Sequence, residues 1–293
     1  MNSLFKNFNL KAGEVMLNEI LDFITSFNCK YDFKGTVIGI SGGLDSAVTA
    51  CLCAKALGAQ NVYGLILPER DSSKKTLKDA LKICDFLKIP HKVHKISGEL
   101  RHIGAYKLQP PAFFIPSFIK EKYAKKNWES LGKENIFFKD LSNSGDSFFL
   151  KGLAYYRAKH RIRMCKFYLE AEKRGYSVVG TTNKTEFLTG LYVKYGDDSV
   201  DYEPIFHLYK TQVIELAKKL SLPDFIIEKK PSPDLIPGID DEYIFSMNYY
   251  DLDRLLIKIN NKESLDNENQ DLVKRIKKII EYAKFREIKS VHL

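Results

Sequence analysis

The sequence has no run of about 18 consecutive apolar residues, so no membrane-spanning helix is expected. Cysteine is scarce, with five in 293 residues. An odd number without zinc-ligand spacing among the Cys and His residues argues for free thiols rather than a disulfide framework or a zinc site. Cys51 and Cys53 stand two apart on an expected helix and diverge. His91 and His94 fall on opposite faces of an expected strand. The start, Met1-Asn2-Ser3-Leu4-Phe5-Lys6, lacks the apolar core and small-residue cleavage site of a secretory leader. A cytoplasmic protein with reduced thiols is therefore expected. A Walker loop is missing too, since no Gly-x-x-x-x-Gly-Lys-Ser/Thr occurs. What is present is a 44% hydrophobic content and a formal charge of +9. The first is enough for a core in one large or two small domains. The second fits a solvated basic surface that attracts anionic nucleotides, or an RNA-binding face.

The most informative stretch is Ser41-Gly42-Gly43-Leu44-Asp45-Ser46. It follows the apolar run Thr36–Ile40 and precedes a helical pattern, Ala47–Leu57, an order that reads strand, tight loop, helix. Adjacent glycines permit positive φ and let a ligand approach bare backbone. A helix start presents free N–H groups and the positive end of a dipole, which together suit a phosphate. The two serines can add hydrogen bonds. Asp45 would repel that phosphate unless a cation lies between them, which points to Mg²⁺.

Around this loop the chain alternates. Helical spacing covers residues 10–27, Lys74–Leu87, residues 152–173, Leu208–Leu220 and Asn269–Phe285. Strands are expected at Thr36–Ile40, Val62–Leu67, His91–Ile96 and Ser177–Gly180. Strands alternating with helices imply a parallel sheet that binds ligands at its C-terminal edge. The Leu67–Ser73 turn leaves that edge. Residues 98–150 break the alternation with Pro110-Pro111, Pro116, a charge run Lys120–Lys126, the only Trp, Trp128, and a turn-like Asn143–Ser147. They read as a lid or interface insertion. Arg157 and Arg161, at i and i+4, share a helix face suited to a carboxylate or phosphate, or to surface salt bridges. Gly180–Glu186 repeats the strand–loop–helix geometry, with Glu186 either in a capping box or facing Asp45 as a second metal ligand. A rigid Pro231–Gly238 segment precedes a C-terminal helical region of about 240–293.

These motifs together resemble the ammonia-dependent NAD synthetase family, within the ATP pyrophosphatase superfamily. The resemblance rests on Ser41–Ser46, Arg161-Ile-Arg-Met164, Gly180-Thr-Thr-Asn-Lys-Thr-Glu186, Lys194-Tyr-Gly-Asp197, Asp201-Tyr-Glu-Pro204 followed by Leu208–Val213, and Pro231–Gly238. It implies an α/β fold: one Rossmann-like parallel sheet domain over 1–293, flanked by helices and adenine nucleotide alpha hydrolase-like, with the insertion. It implies ATP-dependent amidation of nicotinic acid adenine dinucleotide by ammonia through an acyl-adenylate, releasing AMP and pyrophosphate. By the same resemblance Ser41, Gly42, Gly43, Asp45, Ser46, Thr181, Lys210 and Ser232 bind ATP. Asp45 and Glu186 hold Mg²⁺. Arg157, Arg161, Lys194, Asp197 and Asp201 face the acceptor, and Asp45, Lys210 and Asp201 act in catalysis. A homodimer is expected, fed by free ammonia or by a separate glutaminase, because the chain has neither an N-terminal cysteine nor room for a fused glutaminase.

The acceptor side departs from the family pattern. Arg157 stands where an asparagine is usual, Leu153 and Leu191 where aromatics are usual, and Thr182 where glycine is usual. A second reading is therefore a paralogue that adenylates a different carboxylate. A third, a tRNA-modifying enzyme, is opposed by the match around Lys210 and Ser232, so nucleic acid is not expected as a partner.

Overall fold

The structure, a computed structural model, describes residues 10–109, 133–229 and 241–288. In chain order the elements are α1 (Leu10–Lys30), β1 (Thr36–Gly39), α2 (Leu44–Leu57), β2 (Val62–Ile66), α3 (Lys74–Leu87), β3 (His91–Val93) and α4 (Ser97–His102). After them come α5 (Lys133–Ser142), α6 (Ser147–Glu172), β4 (Ser177–Val179), α7 (Lys184–Thr189), α8 (Lys210–Lys219) and α9 (Asp224–Ile227). The chain continues with α10 (Asp241–Phe245), α11 (Tyr249–Asn260) and α12 (Gln270–Glu287). Two compact units result. The first is Met1–Lys95, Arg163–Lys184 and Asp197–Lys229; the second is Ile96–Ile162, Thr185–Gly196 and Lys230–Leu293. The Lys120–Lys126 charge run, Trp128 and Pro231–Gly238 lie outside the described residues.

The first unit is an α/β layer around a four-stranded parallel sheet in the order β3-β2-β1-β4. All four expected strands are present. The central β1 buries Thr36, Val37 and Ile38 completely, because helices cover both faces of a parallel sheet. The edge strand β3 is half-buried to exposed and correspondingly polar. Beyond β4, Tyr202 forms a parallel bridge to Val179, which adds a short backbone extension to the sheet. Helix α2 is the hub. It packs against β1, β2, α1, α3, α8 and α9, and its side chains from Ala47 to Cys53 are all buried. Helix α3 keeps the boundaries its sequence predicts, because the Ser73 hydroxyl caps the N–H groups of Lys75 and Thr76. The five cysteines are free thiols. Burial pushes Cys53 and Cys84 up to about 12.

The second unit is helical. Part of the 98–150 segment packs with the C-terminal helices, since α5 touches α10 and α12. Phe137 meets Phe245 edge-on at 5.7 Å, and Phe138 meets Tyr282 at 5.1 Å. Helix α6 begins five residues before its apolar pattern predicts. The Asp146 carboxylate accepts the Phe149 N–H at 2.8 Å and caps that start, so the expected turn at Asn143–Ser147 is present and runs into the helix N-terminus. Asp140, in the last turn of α5, is flanked by two guanidinium groups. Arg157 donates to its carboxylate at 2.9 Å and Arg286 at 2.7 Å. Arg157 also donates to the Asp140 carbonyl at 2.7 Å and to Asn143 Oδ1 at 2.6 Å. It thereby satisfies a C-terminal carbonyl of α5 with a favourable charge. Burial lowers the proton affinity of Arg157 and Arg286 adds to that effect, while Asp140 opposes it.

Two stability outcomes follow from this packing. Leu52→Ala, at a fully buried hub position, should lower the unfolding free energy by about 2–5 kcal/mol in urea titration. Asp140→Asn removes the one charge between two guanidinium groups. With the Asp140 side chain 23% exposed, the loss should be roughly 2 kcal/mol, below the 3–5 of a fully buried pair. In the same titration Arg286→Met, which keeps the Arg157 pair, should cost less than Asp140→Asn.

Candidate active site

The glycine loop leaves the C-terminal end of β1, where parallel sheets collect ligands. Gly42 has φ of +73°, and a Cβ there would lie 2.5 Å from the Thr76 carbonyl oxygen of α3. Only glycine meets both the dihedral and the close approach. The serines lace the loop to itself. Ser46 Oγ accepts the Ser41 N–H at 3.3 Å, donates to the Gly43 carbonyl at 3.0 Å and lies 3.0 Å from Ser41 Oγ. The Gly43 N–H donates to Ser41 Oγ at 3.2 Å. These bonds hold the first N–H groups of α2 at the loop mouth, where a helix start favours an anion.

Asp45, in the first turn of α2, is held from two other elements of the same unit. Asn183 Nδ2 donates to Asp45 Oδ1 at 2.9 Å, and the Lys210 ammonium pairs with Oδ2. Asn183 is fully buried, and the Lys210 side chain is 3% exposed against 16% for Asp45. Lys210 opens α8, so the glycine loop, the β4–α7 loop and α8 converge on one carboxylate. Thr181 is half-buried in the same β4–α7 loop. Lys229 adds a cation that the sequence patterns do not reveal. Its ammonium donates to the Gly42 carbonyl at 2.8 Å and to Asp79 at 2.9 Å, tying the loop to α3. The signal for it was Asp79, a buried carboxylate beside Ala80 and Ile83 on the apolar face of α3; such a group needs a partner.

Asp201 is engaged at the sheet edge. Its carboxylate accepts the Val178 N–H at 2.6 Å and the Tyr168 hydroxyl at 3.1 Å. Burial, with Asp201 second, pushes Tyr168 up to about 12. Two residues on, Glu203 is a further group that sequence patterning passed over. It lies within the Asp201-Tyr-Glu-Pro204 motif, but in a segment without periodicity, so no role was assigned to it. Its Oε1 is buried and, among the described residues, has no hydrogen-bond partner. Burial raises the Glu203 carboxyl to about 7; Thr182 opposes the shift, while Asp198 and Asp197 add to it. Arg163 Nε donates to the Leu67 carbonyl at the end of β2, at 3.2 Å.

The second unit holds the other candidates. Arg157 and Arg161 share a helix face, as their spacing predicts, and line a cavity of about 460 Å³ with Asn143, Leu150, Leu153 and Ala154. Arg161 reaches the Lys194 carbonyl through Nε and Nη2, each at 3.2 Å. The Lys194 ammonium lies over the Tyr195 ring at 4.8 Å. Tyr192, beside Leu191, stacks on Phe187 at 6.0 Å. Glu186 occupies the first turn of α7, where its carbonyl accepts the Leu191 N–H at 2.9 Å. Asp197 belongs to the first unit, and Ser232 lies outside the described residues. Among the described residues, no three His, Cys, Asp or Glu side chains form a preformed metal cage, and no helix is long and apolar enough to cross a membrane.

Comparison with known proteins supplies the family. The NAD synthase family model matches residues 16–138 and 136–290. The chain is 55% identical over 276 residues to the NH(3)-dependent NAD(+) synthetase of Thermotoga neapolitana, covering 94% of this chain and 95% of that protein. Among solved structures, the NH3-dependent NAD synthetase of Campylobacter jejuni, in complex with a nitrate ion, superposes with a TM-score of 0.70 at 25% identity. That match covers 96% of this chain and 98% of that one. An NMN synthetase from Francisella tularensis gives a TM-score of 0.72 at 25% identity, with the same coverage of both chains. The chain belongs to the NAD synthase family.

Proposed function

We propose that this protein is an AMP-forming ligase that amidates nicotinic acid adenine dinucleotide with ammonia. The reading is carried by the Asp45 carboxylate, gripped by Lys210 and Asn183 at the mouth of the glycine loop. The 55% identity to an NH(3)-dependent NAD(+) synthetase over nearly the whole chain supports it. In the first step the nicotinate carboxylate attacks the α-phosphorus of ATP. The bond to the β-phosphate breaks and pyrophosphate leaves. In the second, ammonia attacks the acyl carbon and AMP leaves.

Both steps bring anions together, so neutralisation and in-line positioning dominate. The loop N–H groups and the start of α2 receive the departing pyrophosphate. Lys210 supplies a buried positive charge beside it, and Lys229 fixes the loop backbone. Ser41, Ser46 and Thr181 shape the ATP side, with Ser232 from the segment after α9. Asp45 and Glu186 offer hard oxygen donors of the kind Mg²⁺ prefers. The partial exposure of Asp45 beside an anion-binding helix start fits a cation shared with phosphate. Bound there, Mg²⁺ would shield the phosphate charge and stabilise the leaving pyrophosphate. Arg157 is engaged by Asp140 and Asn143; Arg161, Lys194 and Asp197 are the residues proposed to orient the acceptor. Free ammonia is the nitrogen source, the enzyme works in the cytoplasm, and it acts as a homodimer.

The decisive assay incubates the protein with ATP, Mg²⁺ and ammonium, and with either the dinucleotide acid or its mononucleotide counterpart. AMP and NAD should form in equal amounts from the dinucleotide. Preferential turnover of the mononucleotide would overturn the reading in favour of an enzyme with another acceptor. Lys210→Met should lower kcat/KM by about 10²–10³-fold, with ATP–pyrophosphate exchange lost in parallel. A variant that keeps wild-type exchange would remove Lys210 from the phosphate site.

A further inference from the structure

Amide formation releases a proton from nitrogen, and the ammonia itself must come from ammonium at neutral pH. Some group at the ligand edge of the sheet has to accept that proton. Asp201 is poorly suited. Its carboxylate is already occupied as a hydrogen-bond acceptor, taking a backbone N–H from the middle of β4 and the Tyr168 hydroxyl.

Glu203 stands differently. The segment from Asp201 runs alongside β4. The Asp201 N–H donates to the Val178 carbonyl and the Gly180 N–H to the Tyr202 carbonyl, both at 2.9 Å. Glu203 is therefore carried past the last residue of β4, onto the C-terminal edge. There its side chain lies directly over Gly180. A Cβ at position 180 would be 2.7 Å from Glu203 Cγ and 2.9 Å from its Oε1. Gly180 opens the same loop whose Asn183 holds Asp45. One four-residue loop thus has the metal-and-phosphate carboxylate at one end and the Glu203 carboxyl at the other. The Oε1 atom is buried with no hydrogen-bond partner among the described residues, so one lone-pair position is open to a proton donor.

We propose that Glu203 accepts the proton released when ammonia attacks the acyl-adenylate, and that the Gly180–Asn183 loop positions it for that role. This rests on the amidation reading above. In the step, nitrogen forms its bond to the acyl carbon. The C–O bond to AMP breaks, its electron pair stays on the AMP phosphate, and one N–H proton passes to a Glu203 carboxylate oxygen. Two observations suit the group to the task. Desolvation and the flanking carboxylates lift it to about 7, which makes it a stronger base than an ordinary carboxylate while leaving a large ionised fraction at neutral pH. The charged groups that face it are Asp197 and Asp198, from the segment leading into it; the packed loop contributes the Thr182 hydroxyl and N–H, which pull in the opposite direction. The two aspartates also make the surroundings attractive to an ammonium cation.

The test separates the two half-reactions in the full-length protein. ATP–pyrophosphate exchange dependent on the dinucleotide acid reads adenylation without ammonia. Initial rates with ammonium chloride, expressed per free ammonia between about pH 6 and 9, read amidation. The wild type should show exchange, with kcat/KM for ammonia rising through a limb near 7. Glu203→Gln should keep exchange within about twofold, lower kcat/KM for ammonia by about 10²-fold and flatten the limb. Asp198→Asn, which removes a charge that raises the group, should move the limb to lower pH and serves as an independent readout should Glu203→Gln fail to fold. A Glu203→Gln enzyme that retains the limb, or that loses exchange as much as amidation, would overturn the proposal, as would an unmoved limb in Asp198→Asn. A wild type with no exchange on the dinucleotide acid would instead overturn the amidation reading, and this inference with it.

Discussion

The ion pair between the half-buried Asp45 and the buried Lys210 is the interaction on which the ligand edge of the first unit's sheet is built. A lysine that is 3% exposed cannot remain charged in a protein interior without a partner. Its partner stands on α2, it stands on α8, and Asn183 completes the contact from the loop after β4. Three segments distant in sequence are thereby fixed at the C-terminal edge of one sheet. The glycine loop then needs little more. Ser46 closes it internally and Lys229 ties it to α3. The result is an internally hydrogen-bonded glycine loop beside a compensated carboxylate.

The second unit uses charge differently. Arg157 and Arg286 close on Asp140 at the end of α5, so an arginine that replaces the usual family residue has a structural duty. Helix α5 of the 98–150 segment packs on the C-terminal helices, through Phe137 against Phe245 and Phe138 against Tyr282. An insertion that packs in this way is part of the unit's architecture. The family assignment needs no unusual acceptor to account for Arg157.

Much of this was legible beforehand. The four strands, α3 and the glycine loop follow from short-range rules: apolar runs, a Ser cap, paired glycines. Arg157 and Arg161 share the face that an i,i+4 spacing requires. The start of α6 was not legible from its apolar pattern, because the Asp146 cap precedes the first periodic residue. Lys229 was missed because its partners, Gly42 and Asp79, lie far away in the chain. Glu203 was missed because the segment around it has no period, and its surroundings are set by Gly180, Thr182 and two aspartates that come together only on folding.

The sequence by itself determined the fold class, the glycine loop and the family. These rest on local patterns whose physics is complete within a few residues: a strand, a turn that needs glycine, a helix start that attracts anions. Only the tertiary structure decided what each charged side chain does. It turned Asp201 into a clasp on the β4 edge and Arg157 into a cap on α5, and it left Glu203 with a buried oxygen that has no hydrogen-bond partner among the described residues. The reason is that proton affinity and charge depend on burial and on neighbours contributed by other segments, which no single stretch of sequence contains.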